Sequence, residues 1–100
     1  MDAERVQRIA KALADPRRRE ILHWAAQTDD PTGLACAVLS ERLPLSQPTI
    51  SHHVKELHNA ELVTVRSEGQ YSYLTLRRDT LCAFLRHLGC LFDLDDDPEK

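Results

Sequence analysis

Residues 45 to 57 read LSQPTISHHVKEL, and this stretch decides the fold. Ser46 can cap a helix in which Pro48 falls in the first turn, where the missing N–H of proline does no harm. At about 100° per residue the apolar side chains share one narrow stripe. They are Ile50, Val54 and Leu57. The sequence therefore predicts a helix from Ser46 to about Ala60 that buries one face and leaves the other free.

The free face of this helix carries side chains of the kinds that read DNA. Hydroxyl, amide, imidazole and ammonium groups can pair with the donors and acceptors that base edges offer in a major groove. The candidate contacts are Ser46, Gln47, Thr49, Ser51, His52 and Lys55. An ordinary solvated helix face has a similar composition, so the elements before the helix decide between the two interpretations.

Upstream of this helix, apolar periodicity and capping residues predict three more helices. Their approximate bounds are 3–14, 16–27 and 34–43. Asp15 followed by Pro16 is a typical helix start, and Pro44 stops the third helix. A short helix and a tight turn before a helix with a free polar face is typical of a helix-turn-helix, which favours DNA contact.

Downstream, two alternating stretches and a last helix complete the pattern. Residues 62–66 and 71–76 are rich in Val, Thr, Tyr and Leu and flank a turn at 67–70, which predicts a β-hairpin. A last helix is predicted over 79–92. The order of elements predicts a mainly α fold with a small β-hairpin, the winged helix-turn-helix.

Length and charge limit the domain organisation. One hundred residues, of which 42% are hydrophobic and 29% charged, suit one folded domain. The net charge of −3 divides into −4 for residues 92–100 and +1 for residues 1–91. We therefore expect a DNA-binding and dimerisation domain over 1–92 and a solvated acidic tail over 93–100.

Basic and polar side chains on other elements are further candidates for DNA contact. Arg17 and Arg18 lie in the first turn of the second helix, where the helix dipole disfavours positive charge. Phosphate contact is one explanation for them, and ion pairs with acidic neighbours such as Glu20 are the other. Arg66 and Gln70 flank the glycine tip of the predicted hairpin and could follow the DNA backbone into an adjacent groove.

The cysteines and histidines do not predict a metal site or a cofactor. Cys36, Cys82 and Cys90 form neither a disulfide framework nor a zinc-like C-x-x-C pair. They are interpreted as small packing residues or, alternatively, as thiol sensors, with Cys90 facing away from the apolar stripe of its helix. His52 and His53 are adjacent, so they cannot converge on one metal, and His53 is expected to be a partly buried structural residue.

Other function classes find little support in the sequence. There is no phosphate loop, paired carboxylates or nucleophile with an evident base, so the protein is not expected to be an enzyme. No apolar run approaches the roughly 20 residues that cross a bilayer, and the first residues lack the apolar segment of a signal peptide. We expect a cytoplasmic protein without a membrane partner. A winged helix used for protein–protein contact is the alternative, because the net charge is negative.

Three stretches resemble the ArsR/SmtB family of bacterial winged-helix repressors. They are LADPRRREIL at 13–22, LSQPTISHHV at 45–54 and the hairpin around Gly69. The resemblance covers about residues 5–90. It implies a homodimer that forms through the first and last helices, binds a pseudo-palindromic DNA operator and releases it when an unidentified inducer binds. The broad apolar stripe of the last helix agrees, since two protomers can bury it more easily than one.

The sequence departs from this family at several positions. Cys36 stands alone where metal-sensing members often have a Cys-x-Cys pair, and residues 79–81 read Asp-Thr-Leu where others have Asp-x-His. A metal-responsive or thiol-responsive member is therefore kept only as an alternative. Pro44 and Glu61 occupy positions where the family commonly has glycine. Because Pro44 cannot adopt a positive φ, the turn before the DNA-reading helix is expected to be built differently.

Overall fold

The computed structural model describes residues 1–94, in which five helices and the two strands of a hairpin follow the predicted order, and a further short strand was not predicted. They are α1 (Ala3–Ala14), α2 (Pro16–Gln27), β1 (Leu34–Ala35), α3 (Cys36–Arg42), α4 (Gln47–Asn59), β2 (Val63–Glu68), β3 (Tyr71–Leu76) and α5 (Arg78–Leu91). The mainly helical architecture with a β-hairpin confirms the predicted fold class. No helix in this part of the chain is long and apolar enough to cross a membrane.

Side-chain caps begin the second and fourth helices where the sequence predicted. The Asp15 carboxylate accepts the backbone N–H of Arg17 at 2.8 Å, and the Ser46 hydroxyl oxygen accepts that of Thr49 at 3.4 Å. In both helices a proline follows in the first turn. The caps satisfy N–H groups that have no partner within the helix, and they fix where α2 and α4 begin.

The third helix is shorter than predicted. Leu34 and Ala35 form a strand that pairs antiparallel with Leu74 and Tyr73, which gives the sheet the order β1-β3-β2. Gly33 permits this close approach: its φ is +96°, and a Cβ there would lie 2.6 Å from the Leu74 carbonyl oxygen. The assignment of Leu34 and Ala35 to a helix was therefore wrong, because strand pairing overrides a short apolar pattern.

One hydrophobic core fixes α4 against the rest of the domain. Its most deeply buried apolar side chains come from α1 to α4, from β2 and β3, and from the segment before β2. They are Ile9, Ile21, Leu39, Ile50, Leu57, Leu62, Val63 and Leu74. The predicted inner stripe of α4 is confirmed, because Ile50, Val54 and Leu57 are all buried. The opposite face of α4 is consequently held outward.

The turn before α4 contains no left-handed residue. The N–H of Leu45 donates to the carbonyl oxygen of Leu43 at 2.8 Å, which closes a three-residue turn centred on Pro44. Among the described non-glycine residues, positive φ values occur only at Glu61 and Asp93. The turn is therefore built without the positive φ that glycine would allow, as the sequence predicted from Pro44.

α4 ends in a left-handed turn on Glu61, whose φ is +61°. The N–H of Glu61 donates to the His58 carbonyl at 2.9 Å, and the N–H of Leu62 donates to the Leu57 carbonyl at 3.0 Å. These two bonds form a Schellman motif, which usually has glycine at the left-handed position. The Glu61 carboxylate also pairs with Arg5 of α1 at 2.8 Å. The end of α4 is thereby tied to α1.

The predicted acidic tail is described only at its beginning. Asp93 and Leu94 form the C-terminal turn of α5, where their N–H groups donate to the carbonyls of Cys90 and Gly89. The remainder, 95–100, lies outside the described residues. The boundary between a domain over 1–92 and a tail over 93–100 stays a prediction.

Candidate nucleic-acid interface

The outward face of α4 carries the polar side chains that the sequence singled out. The exposed residues are Ser46, Gln47, Thr49, Ser51, His52 and Lys55. Two of these are engaged locally, since the hydroxyl groups of Ser46 and Thr49 lie 2.9 Å apart. Gln47, Ser51, His52 and Lys55 are consequently the side chains of this face that are best placed to contact a ligand.

A groove of about 370 Å³ lies between α4, the start of α3 and the hairpin, and we call it the α4–wing groove. Its polar lining residues are Ser40, Gln47, Ser51, Lys55, His58, Gln70, Tyr71 and Ser72. None of the described residues that line it is acidic. A concave surface with hydrogen-bond donors, one ammonium group and no carboxylate suits an anionic chain.

The two candidate residues on the hairpin lie in different surroundings. Gln70 is exposed beside the tip and lines the α4–wing groove. The Arg66 guanidinium instead pairs with Glu68 at 3.3 Å, and its central carbon lies 5.3 Å from the centre of the Tyr73 ring. The structure therefore brings Gln70 together with the α4 contacts and does not bring Arg66 into that groove.

Arg17 and Arg18 both have partners within the chain. Arg17 pairs with Glu20 at 3.1 Å, which is the alternative considered from the sequence. Arg18 donates from Nε to Nδ1 of His53 at 3.3 Å and from Nη1 to the carbonyl oxygen of Lys11 at 3.5 Å. A phosphate contact for either arginine stays a prediction.

His53 is buried, with 9% of its surface exposed, where the sequence predicted a partly buried residue. It lies at a polar junction with Arg18 and Asp15. Burial raises the pKa of the Asp15 carboxyl, but hydrogen bonds from the N–H groups of Arg17 and Arg18, and the nearby His53 and Arg18, bring that pKa below its usual value. Sequence analysis missed this junction, because Arg18 and His53 are 35 positions apart and no spacing rule connects them.

The cysteines are separated in the fold. Cys36 is half-buried in the α4–wing groove, and burial raises the pKa of its thiol, which disfavours the reactive thiolate. Cys82 and Cys90 are exposed on α5. Within residues 1–94 no cluster of three or more His, Cys, Asp and Glu side chains could hold a metal ion. A role as a thiol sensor stays a prediction for each cysteine.

α5 exposes the apolar side chains of its second face. Leu85 is 64% exposed, and Leu91, Phe92 and Leu94 are more than half exposed as well. Phe84, by contrast, packs in the core and is 5% exposed. Several large apolar side chains exposed on and just after one helix are typical of a surface that another protein covers.

Comparisons with known proteins agree with this geometry. A family described as a helix-turn-helix domain matches residues 13–66. An arsenical resistance operon repressor of Staphylococcus xylosus is 39% identical over 82 residues, which is 81% of this chain and 74% of that protein. The relatives are named as transcriptional regulators rather than as enzymes, which confirms that interpretation of the sequence.

Solved structures show the same fold. An ArsR-like transcriptional regulator from Rhodococcus sp. RHA1 superposes with a TM-score of 0.74 at 25% identity, covering 90% of this chain and 84% of that one. A homodimeric winged helix-turn-helix DNA-binding domain from Mycobacterium bovis, determined by NMR, gives a TM-score of 0.69 at 27% identity. That alignment covers 90% of this chain and 80% of that one.

Proposed function

The chain belongs to the ArsR family of winged helix-turn-helix transcriptional regulators, and we propose that it is a homodimeric repressor that binds a pseudo-palindromic DNA operator until an unidentified signal releases it. One observation carries the proposal: α4 turns an exposed polar face toward a groove whose described lining has no acidic side chain. Such a face can enter a major groove without charge repulsion from the phosphates.

Base readout is assigned to the N-terminal half of α4. The Gln47 amide can donate to N7 and accept from the N6 amino group of adenine, and Ser51 can pair with either kind of group. His52 is exposed beside them. These side chains are short, so they reach base edges only if α4 lies deep in the major groove of the DNA. The fold permits this, because the apolar face of α4 is buried and its polar face is exposed.

Backbone contact is assigned to Lys55, to Gln70 and to the α4–wing groove. Lys55 lies about two turns along α4 from the capped end, and Gln70 of the hairpin lines the same groove. A sugar-phosphate strand between them would meet donors on both sides. Contacts of this kind position the protein on DNA and carry most of the salt dependence of binding.

The dimer is proposed from the apolar face of α5 together with α1. A twofold pair would place the two α4 helices on successive major grooves about 34 Å apart, which requires half-sites related by the same symmetry. The solved Mycobacterium bovis relative is homodimeric, which supports this arrangement.

Titration of duplexes selected from a random pool tests the proposal. The wild-type protein should bind as a dimer, and the logarithm of its affinity should fall linearly with the logarithm of salt concentration. Lys55→Gln should reduce the magnitude of that slope by about 0.9 for each phosphate that the ammonium no longer neutralises, or about 2 for a dimer. Gln47→Ala should instead relax base preference by about 1 to 3 kcal/mol per base pair read and leave the slope unchanged.

Lys11→Gln is the matched control, because it removes the same charge from an exposed position on α1 that lies outside the groove. It should change the salt slope much less than Lys55→Gln does. Binding by a monomer, or an affinity that does not respond to salt, would contradict the proposal. The protein-interaction alternative would be supported if the protein bound no duplex at all and a protein partner protected its residues 46–59.

A further inference from the structure

If the chain binds DNA as proposed above, the half-buried Arg18 guanidinium has a further role. We propose that Arg18 and His53 are positioning residues that set the orientation of α4 relative to α1. Arg18 was a candidate phosphate contact in the sequence. Its contacts in the structure are instead directed into the protein, where the side chain connects three helices.

The geometry of the link is specific. From α2, Arg18 donates through Nε to Nδ1 of His53 on α4 at 3.3 Å, and through Nη1 to the carbonyl oxygen of Lys11 on α1 at 3.5 Å. Nδ1 of the imidazole is the acceptor in this arrangement. His53 is buried, so the imidazole has little water available to replace this donor.

The link adds a directional restraint to the one that the apolar stripe of α4 already provides. Ile50, Val54 and Leu57 hold the helix against the core, but apolar contacts have no preferred direction. A hydrogen bond does, since it weakens steeply when donor and acceptor are misaligned. The bond from Arg18 is made near the middle of α4, and the Arg5–Glu61 pair at 2.8 Å provides a second connection at its C-terminal end.

The connection to α1 gives the link a functional consequence. In the proposed dimer α1 belongs to the interface between protomers, and α4 reads the DNA. Two α4 helices can enter successive major grooves together only if each keeps its orientation relative to the twofold axis. Breaking the Arg18 link should therefore weaken binding to a two-half-site duplex without removing a DNA contact.

Arg18→Lys distinguishes positioning from phosphate contact. Lysine keeps the charge, so a phosphate contact would survive, but it cannot supply the two separated donors of the guanidinium fork. We expect affinity for the duplex to fall about tenfold, in the range found for residues that transmit coupling between sites. Arg77→Lys is the matched control and should bind as the wild type does, because the Arg77 guanidinium pairs with the neighbouring Asp79 at 2.8 Å and is not a candidate DNA contact.

Two further measurements test the partner and the mechanism. His53→Leu should weaken binding by a factor similar to that of Arg18→Met, and the double variant should be little worse than either single variant, because both remove one interaction. His53→Asn keeps an acceptor close to the position of Nδ1 and should recover most of the affinity. All variants are compared at a temperature at which circular dichroism shows them fully folded.

The outcomes separate this inference from the proposed function. Wild-type affinity for Arg18→Lys overturns the positioning role, and so does an Arg18→Met variant whose salt slope falls by about 2, as removal of one phosphate interaction in each protomer would require. A lower melting temperature with unchanged affinity also overturns it, because the link would then be structural only. A wild-type protein that fails to bind any duplex overturns the proposed function, and this inference with it.

Discussion

α4 and α5 are both amphipathic helices that bury one face in the same core, but their outward faces differ in kind. α4 exposes Gln47, Ser51 and Lys55, whereas α5 exposes Leu85 and Phe92, the last at its C-terminal cap. Both inner faces are mainly apolar, so burial inside the protomer does little to distinguish the two helices. The main difference lies in what each helix leaves on the surface.

The contrast shows how the outer surface indicates the kind of partner. Exposed amide, hydroxyl and ammonium groups gain little from another apolar surface, but they match the hydrogen-bonding edges and charges of DNA. Burying exposed leucine and phenylalanine side chains is favourable by roughly 25 cal/mol of free energy for each Å² of apolar surface removed from water. A second protein surface provides that burial. One helix is therefore suited to nucleic acid and the other to another copy of the chain.

The largest expected effect follows from placing a polar group on the apolar outer face of α5. Leu85→Asp places a charge in the exposed apolar face and should prevent dimerisation. Because two linked half-site contacts are stronger than one by about a hundredfold or more, affinity for a two-half-site duplex should fall by at least that factor. Sedimentation measures the dimer, and titration of the duplex measures the affinity.

Cys90→Asp provides the control for this substitution. It introduces the same carboxylate at an exposed position of α5 that lies off the apolar face. It should remain dimeric and bind the duplex nearly as the wild type does. A dimeric Leu85→Asp protein would show that α5 does not form the interface, and the comparison between the helices would lose its basis.

A comparison of α4 with β1 shows which features are predictable from sequence. α4 was predicted in place because Ser46, the early Pro48 and the apolar spacing are local signals. The strand at Leu34–Ala35 was missed because its hydrogen bonds go to Leu74 and Tyr73, far along the chain. Long-range pairing leaves no period within so short a segment.

The candidate site was predictable to a similar extent. The outward residues of α4 follow from helical geometry, since every third or fourth residue shares a face. The partners of Arg17, Arg18 and Arg66 depend instead on which side chains the fold brings together. Charge in the sequence shows that an arginine needs an anion or an acceptor, but it does not show whether Glu20, His53 or a phosphate supplies it.

A smaller effect is expected from the buried polar group on each inner face. On α4, His53 has a hydrogen-bond partner in Arg18. On α5, Thr80 is 2% exposed, and its hydroxyl has no hydrogen-bond partner within the described part of the chain. A buried hydroxyl without a partner costs free energy that a methyl group of similar size does not. Thr80→Val should therefore raise the free energy of unfolding by about 1 kcal/mol.

Chemical denaturation measures this change, with Thr64→Val as the control. Thr64 is exposed on β2, where water solvates its hydroxyl, so the same substitution should gain much less. A lower stability for Thr80→Val would mean that the hydroxyl has a partner in solution, and the inner faces of the two helices would then be alike.

The smallest effect concerns the left-handed residues that end the two helices. Glu61 ends α4 with φ +61° and Asp93 ends α5 with φ +53°, and neither has the freedom of glycine at such angles. Asp93→Gly should raise the free energy of unfolding by about 0.5 to 1 kcal/mol, because it relieves this strain. Glu61→Gly should change it by close to zero, since it also removes an ion pair with Arg5 worth up to about 1 kcal/mol.

Thermal unfolding of both variants, with Arg5→Gln added to each, tests the explanation: Arg5→Gln should destabilise the Asp93→Gly protein but not the Glu61→Gly protein. Equal gains from both glycines would show that the Arg5–Glu61 pair contributes nothing to holding the end of α4.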